Sequence, residues 1–163
     1  MLHVRVPAVA LVAGLCALTS AAPALADRPI PTPISPEATY AAGEVCAFPL
    51  RVTPGDATHS RLHIQRNGDF IVTGYFSQTA TNLRTGRSLT IKSSGPLRIT
   101  FHEDGTSTWI SHGSFLWTLF AQDAGGPGLF VLTGRSVLET NSEGFATSLS
   151  GVARETRVCD ELA

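Results

Sequence analysis

The chain has 163 residues, of which 12 are basic and 13 acidic, and its formal net charge at pH 7 is −1. This balance gives no broad attraction for nucleic acid or anionic lipid, and the length suits a single domain. After the first 26 residues, no stretch of the sequence is apolar for long enough to span a bilayer as a helix.

Residues 1–26 have the three parts of an export signal. Arg5 and the amino terminus are positive, the run VPAVALVAGLCALTS is apolar, and Ala24-Leu25-Ala26 offers small residues at the two positions that direct cleavage. A membrane anchor is the alternative, but the apolar run is short. We therefore expect cleavage after Ala26 and a secreted, extracellular protein. Cys16 follows the bulky Leu15 inside the apolar run, so we expect it to be removed with the signal and not lipidated.

Residues 27–43, DRPIPTPISPEATYAAG, form a leader with four prolines and little apolar periodicity. This composition predicts an extended or disordered segment outside the core. A spacer from membrane or cell wall is favoured over a recognition segment for a proline-binding partner. The folded domain is then expected over residues 44–163.

Two cysteines remain after the signal, Cys46 at the start of the domain and Cys159 four residues before the last residue. Disulfides persist in exported proteins, and this pair lacks the short Cys-x-x-Cys spacing of redox-active dithiols. We predict a structural disulfide between them. Because bridged Cα atoms lie within about 7 Å, the two ends of the domain must then meet.

From Glu44 onward, about ten short strand-like segments alternate with turns, and no long helical stripe occurs. Hairpins are predicted at Asn67-Gly68, Thr85-Gly86, Asp104-Gly105, Gly113-Ser114 and the loop NSEG. This pattern predicts an all-β fold built as an antiparallel meander. We favour closure into a barrel of roughly eight to ten strands, in which the first and last strands are neighbours. A two-sheet β-sandwich is the alternative.

Two-residue turns at Asp104-Gly105 and Gly113-Ser114 predict one apolar face on the neighbouring strands. That face holds Leu97, Ile99, Phe101, Ile110, Phe115, Trp117 and Leu119, and the opposite, wet face holds Arg98, Thr100, His102, Ser107, Trp109 and Ser111. His112 falls on the apolar face. With Phe115 and Trp117 it is the candidate lining of a pocket for a small apolar ligand, although such residues more often fill a core.

No motif for catalysis or for a cofactor stands out in the sequence. His102 and His112 are expected on opposite faces, and His63 has no acidic neighbour at ligand spacing, so we predict that the four histidines of the domain, which include His59, form no metal site. Glu103-Asp104 is interpreted as the tip of a hairpin, where aspartate stabilises the turn. We expect no cofactor. The lack of a catalytic motif favours a non-enzymatic protein but does not require one.

The segments NGDFIVTG, TNLRTGRS and GPGLFVLTGR resemble a group of small exported β-rich proteins of actinobacteria, over most of residues 44–163. The shared residues are chiefly turn glycines, so the resemblance implies a fold and no activity. The barrels of allene oxide cyclase and dirigent proteins are similar in architecture alone. The leading hypothesis is a secreted protein that binds a small ligand or an extracellular partner. A cofactor-free isomerase or cyclase and a cell-envelope structural protein are the alternatives.

Overall fold

The computed structural model of the chain describes residues 29–32, 36–151 and 154–163. The predicted export signal at residues 1–26 therefore lies outside the described residues. Among the residues that are described, no helix has the length and apolar character needed to cross a bilayer.

Within this part of the chain the fold is all-β, with eleven strands and one short helix. The strands are β1 (Ile30–Pro31), β2 (Ala38–Tyr40), β3 (Leu50–Pro54), β4 (Ser60–Ile64), β5 (Phe70–Asn82), β6 (Ser88–Ser94), β7 (Leu97–Phe101), β8 (Ser107–Leu119), β9 (Gly128–Thr140), β10 (Ala146–Ser150) and β11 (Arg154–Arg157). The helix α1 (Val158–Leu162) follows β11 directly. The predicted all-β class is confirmed.

Four strands close on one another into a small barrel. β5 pairs with β6 and β7, and β8 also pairs with both of them, so the circuit β5–β6–β8–β7 is complete and the other strands lie outside it. The predicted barrel of eight to ten strands joined through the first and last strands is wrong in size and in closure. The ring stays small because β5 and β8 are long enough for each to pair with two successive strands along one edge.

The predicted turn at Gly113-Ser114 is not a turn. β8 runs through this point without a break and pairs with β9 along its whole length, with Gly113 opposite Gly134. Gly113 has a φ of 127°, and a Cβ at this position would collide with the carbonyl oxygen of Ser94 on β6. Glycine is therefore required here for the close approach of another strand.

The other four predicted hairpins are present, but the register at Asp104-Gly105 differs from the expected one by one residue. The His102 N–H donates to the Thr106 carbonyl at 3.0 Å, so the loop has three residues instead of two. Ile99 consequently pairs with Trp109. Because successive residues of a strand point to opposite faces, a slip of one residue exchanges the two faces of the first half of β8.

This shift corrects several predicted side-chain positions. Trp109 lies on the inner face, and Ser107 and Ser111, which were expected to be wet, are buried. Ile110 and His112 lie on the opposite face, and His112 is exposed. Phe101 keeps its predicted face but is 49% exposed at the end of β7.

Two apolar clusters cover the two faces of the β8–β9 pair. The disulfide cluster consists of Val45, Cys46, Phe48, Leu50, Val52, Ala80, Ile91, Leu129, Val158 and Leu162. The tryptophan cluster consists of Phe115, Trp117, Leu119, Phe130, Leu132, Leu138 and Ala146. Leu129 and Phe130 are adjacent in β9 but belong to different clusters, as the alternation of a strand requires.

The predicted disulfide between Cys46 and Cys159 is present, with Cα atoms 5.5 Å apart. It joins the loop before β3 to α1, so the ends of the domain meet through a loop and a helix. Asn82 reinforces the junction, because its buried Nδ2 donates to the Leu162 carbonyl at 2.9 Å. The Arg87 guanidinium also donates to the Ala163 carbonyl.

Two stretches of the proline-rich leader are strands of the sheet. β1 pairs with β4, β2 pairs with β3, and Tyr40 packs against the disulfide cluster. The leader is therefore extended where it is described, and these stretches are held by the domain. Residues 33–35 between them lie outside the described part of the chain.

Candidate functional site

A cavity of about 360 Å³ lies against the inner face of β4, β5, β7 and β8, and we call it the apolar cavity. Its lining is Thr32, Leu62, Phe70, Val72, Phe76, Gln78, Leu97, Ile99, Trp109, Phe115, Leu116, Trp117 and Thr118. Three of these thirteen side chains, Thr32, Gln78 and Thr118, are polar and uncharged, and the other ten are apolar or aromatic. Both the size and the lining are typical of small-molecule sites.

Strand pairing explains why these side chains converge. Residues that are directly opposite one another in neighbouring antiparallel strands share a face of the sheet. Two such rows cross the sheet and form much of the cavity wall: Leu62–Val72–Leu97 and Phe70–Ile99–Trp109. The cavity therefore follows from the register of four strands, and a change of register in any of them would alter its lining.

Two tryptophans on β8 form the most distinctive part of the wall. The rings of Trp109 and Trp117 meet edge to face, with centroids 6.0 Å apart. Trp109 Nε1 donates to Ser107 Oγ at 2.8 Å. Trp117 is 9% exposed, and its Nε1–H is buried without a hydrogen-bond partner among the described residues. Such groups are rare, because nearly all buried polar atoms in folded proteins are paired.

The structure brings together two of the three side chains predicted to bind a ligand. Phe115 and Trp117 both line the apolar cavity. His112 does not, because it lies on the opposite face of β8, directly across from Arg135 on β9. Trp109 also lines the cavity, but a two-residue loop at Asp104-Gly105 predicted it on the wet face. A three-residue loop would have placed it on the same face as Phe115 and Trp117.

An ion pair lies on the face of β7 that is turned away from the apolar cavity. Arg98, which alternates with Leu97 and Ile99, donates to the Asp69 carboxylate at 3.1 Å. Burial acts to raise the pKa of Asp69, but the hydrogen bonds with Arg98, Asn67 and Thr100 together outweigh it and hold the pKa below its usual value. This pair ties β7 to the start of β5 and contributes no charge to the cavity lining.

The four histidines of the domain occupy four separate environments. The His59 ring stacks on Tyr75 with centroids 4.7 Å apart, and His63 Nε2 lies 3.5 Å from a threonine hydroxyl of β5. His102 Nε2 lies 2.8 Å from a threonine hydroxyl of β8, and His112 is exposed. Across the described ranges, no three histidine, cysteine or acidic side chains come together as a metal site.

The carboxylate of Asp104 supports its own turn, as predicted. Its Oδ1 accepts from the N–H of Thr106 at 3.0 Å and from the hydroxyl of Thr106 at 2.7 Å. These hydrogen bonds lower the pKa of Asp104. Asp104 is exposed at the hairpin tip and does not line the apolar cavity.

A second cavity of about 250 Å³ lies beside the disulfide and is bordered by Arg84 and Arg157. Both guanidinium groups lie over aromatic rings, Arg84 over Phe48 at 5.9 Å and Arg157 over Phe130 at 5.7 Å. Arg157 also pairs with an acidic side chain two residues before it in the sequence. These contacts account for both arginines, so the apolar cavity remains the better candidate site.

No protein-family model, no curated protein and no solved structure matches this chain. The functional conclusions below therefore depend on the geometry and chemistry of the chain itself.

Proposed function

We propose that this chain is a secreted, non-enzymatic binding protein that holds a small, mainly apolar molecule in the apolar cavity. The observation that carries the proposal is the cavity itself. Its volume of about 360 Å³ and its ten apolar or aromatic lining residues suit a small molecule that is driven from water into the protein.

The lining favours binding over catalysis. A cofactor-free isomerase or cyclase needs a general acid or base within hydrogen-bond reach of its substrate. Among the described residues, none that lines the apolar cavity has an acidic or basic side chain. His112, the titratable residue among the three predicted to bind a ligand, lies on the other face of β8.

Export is part of the proposal and is supported by two features. The first 26 residues have the composition of an export signal, and the bridge between Cys46 and Cys159 is of a kind that persists in oxidising compartments. A role as a spacer in the cell envelope is less favoured, because β1 and β2 tie two short stretches of the leader to the domain.

Titration with N-phenyl-1-naphthylamine, an uncharged apolar dye whose fluorescence rises on binding, tests the proposal. We expect saturable binding with one dye per chain. Leu97→Phe should weaken it about tenfold or more, because the larger ring projects into the cavity and overpacks it.

Ile110→Phe is the matched control, since Ile110 lies on the opposite face of β8 and does not line the cavity. Its dye affinity should equal that of the unmodified protein. Circular dichroism of both variants should show an unchanged fold. An absence of saturable binding, or an equal loss in the two variants, would contradict the proposal.

A further inference from the structure

Gln78 places an amide side chain in the wall of the apolar cavity. It lies on β5 between Phe76 and Ala80, and the three side chains share one face of the strand, because successive residues alternate between faces. Phe76 packs against the tryptophan cluster, and Ala80 is buried in the disulfide cluster. The side chain of Gln78 is therefore directed into the interior, between the two clusters, and not towards the outer face of the sheet.

The amide of Gln78 is both unpaired and accessible. Its residue is half-buried, and the amide makes no hydrogen bond with another described residue. It differs from Trp117 Nε1, which is enclosed, because neither of its polar atoms belongs to the enclosed ones that lack a partner. Gln78 lines neither the cavity beside the disulfide nor a smaller one beside Asp123. Its amide can therefore meet a molecule in the apolar cavity.

Hydrogen-bonding groups are unevenly distributed over the wall of this cavity. The hydroxyl of Thr32 already has a partner, because it lies 2.7 Å from Ser60 Oγ. Val72 belongs to one of the two apolar rows, and β5 rises about 3.3 Å per residue, so Gln78 lies up to about 20 Å along the strand from Val72. The cavity thus has an apolar end and an end at which an amide is available.

We infer that the molecule bound in the apolar cavity is amphipathic, with an apolar body and one uncharged group, such as a hydroxyl, that hydrogen-bonds with the amide of Gln78. The inference rests on the proposed function and deepens it. A hydrocarbon would displace water from this amide without replacing its hydrogen bonds, which is unfavourable. An ionised group is disfavoured, because no described residue that lines the cavity carries an opposite charge.

A matched pair of probes tests the inference. 2-Naphthalenemethanol and 2-ethylnaphthalene are alike in shape, but the first carries a hydroxyl where the second carries a methyl group. Their dissociation constants are measured by displacement of N-phenyl-1-naphthylamine from the full exported chain. The two probes also differ in transfer from water, so the informative quantity is the ratio of their dissociation constants, compared between variants as in a double-mutant cycle.

Gln78→Met removes the amide and keeps an unbranched side chain of similar length. The ratio of the hydrocarbon's dissociation constant to that of the alcohol should fall about fivefold in this variant, which corresponds to the loss of one hydrogen bond. Leu97→Met is the matched control, because it also introduces a methionine into the cavity wall but removes no hydrogen-bonding group. It should leave the ratio unchanged even if both affinities change.

The outcomes separate the inference from the function on which it rests. If both probes bind and Gln78→Met leaves their ratio unchanged, or if the hydrocarbon alone binds, the inference is overturned while the proposed function stands. If neither the dye nor the probes bind, both are overturned. Should Gln78→Met fail to fold, the side-chain amide ¹H–¹⁵N resonances of Gln78 in the unmodified protein decide. We expect them to shift further with the alcohol than with the hydrocarbon, and equal shifts at saturation overturn the inference.

Discussion

Replacement of both Cys46 and Cys159 by alanine removes the covalent link between the loop before β3 and α1. The bridge spans a sequence separation of 113 residues, so it encloses nearly all of the strands in one loop. The chain-entropy estimate for a loop of this length is about 5 kcal/mol, and loss of a native disulfide typically costs about 2–5 kcal/mol. We therefore expect the free energy of unfolding to fall by about 3–5 kcal/mol.

Urea unfolding followed by tryptophan fluorescence measures this loss. The comparison needs the oxidised protein, the same protein in dithiothreitol, and the double variant with and without dithiothreitol. The first should have the highest midpoint, and the other three should agree with one another. The slope of the transition should increase without the bridge, because the unfolded chain then exposes more surface.

Equal midpoints for the oxidised protein and the double variant would refute this reasoning, because the bridge would then constrain nothing in the unfolded chain. A shift of the double variant by dithiothreitol would also refute it, since no described cysteine remains in that variant.

Three further substitutions test individual contacts by urea unfolding. The pKa of Asp69 is lower in the folded chain than in the unfolded one. Its carboxylate therefore stabilises the fold above the unfolded pKa of about 3.9, and this stabilisation is lost as the pH falls through the folded pKa. Asp69→Asn should thus be less stable than the unmodified protein at pH 7, and the difference should shrink as the pH falls through the folded pKa; a difference independent of pH would contradict the assignment. Gly113→Ala should cost about 2–3 kcal/mol, because its Cβ meets the main chain of β6, whereas Gly68→Ala, also at positive φ but in open space, should cost about 1 kcal/mol. Equal losses would show that the close approach of β6 is unimportant. Asn82→Ala should lower the free energy of unfolding by about 2–4 kcal/mol, because it leaves the Leu162 carbonyl and the N–H of Arg84 without their partner. Hydrogen exchange of the Arg84 amide should also become faster. An unchanged exchange rate would argue against this contact.

Turn chemistry made the hairpins predictable, but it did not give their register. The loops around Asn67-Gly68, Asp104-Gly105 and NSEG all have three residues, with glycine as the third at positive φ. Asn-Gly and Asp-Gly are also strongly favoured in two-residue loops. These residue pairs therefore do not show whether a loop has two residues or three. The difference of one residue moved Trp109 from the predicted outer face to the wall of the apolar cavity.

The sequence was also ambiguous at Gly113, since the same residue serves a turn and a close approach of two strands. A turn there would have divided β8 into two strands, and counting both halves inflated the predicted barrel. The disulfide was more predictable, because two cysteines follow the predicted signal and two cysteines allow a single intramolecular pairing. The positions of the two cysteines in the sequence could not show which elements the bridge joins. These are the loop before β3 and the helix α1.

The unpaired N–H of Trp117 could not be predicted from the sequence at all. Whether an indole finds a partner depends on the side chains that surround it in space. Trp109 has Ser107 two positions before it on the same face of β8, and this spacing made a hydrogen bond possible. Trp117 has Phe115 in the equivalent position, so its strand offers no such partner.

The most direct test of the central claim is a crystal structure of the purified protein soaked with N-phenyl-1-naphthylamine. The proposed function predicts electron density for this probe in the apolar cavity. A cavity filled by the side chains of Phe76 and Trp109, with no room for the probe, would contradict it.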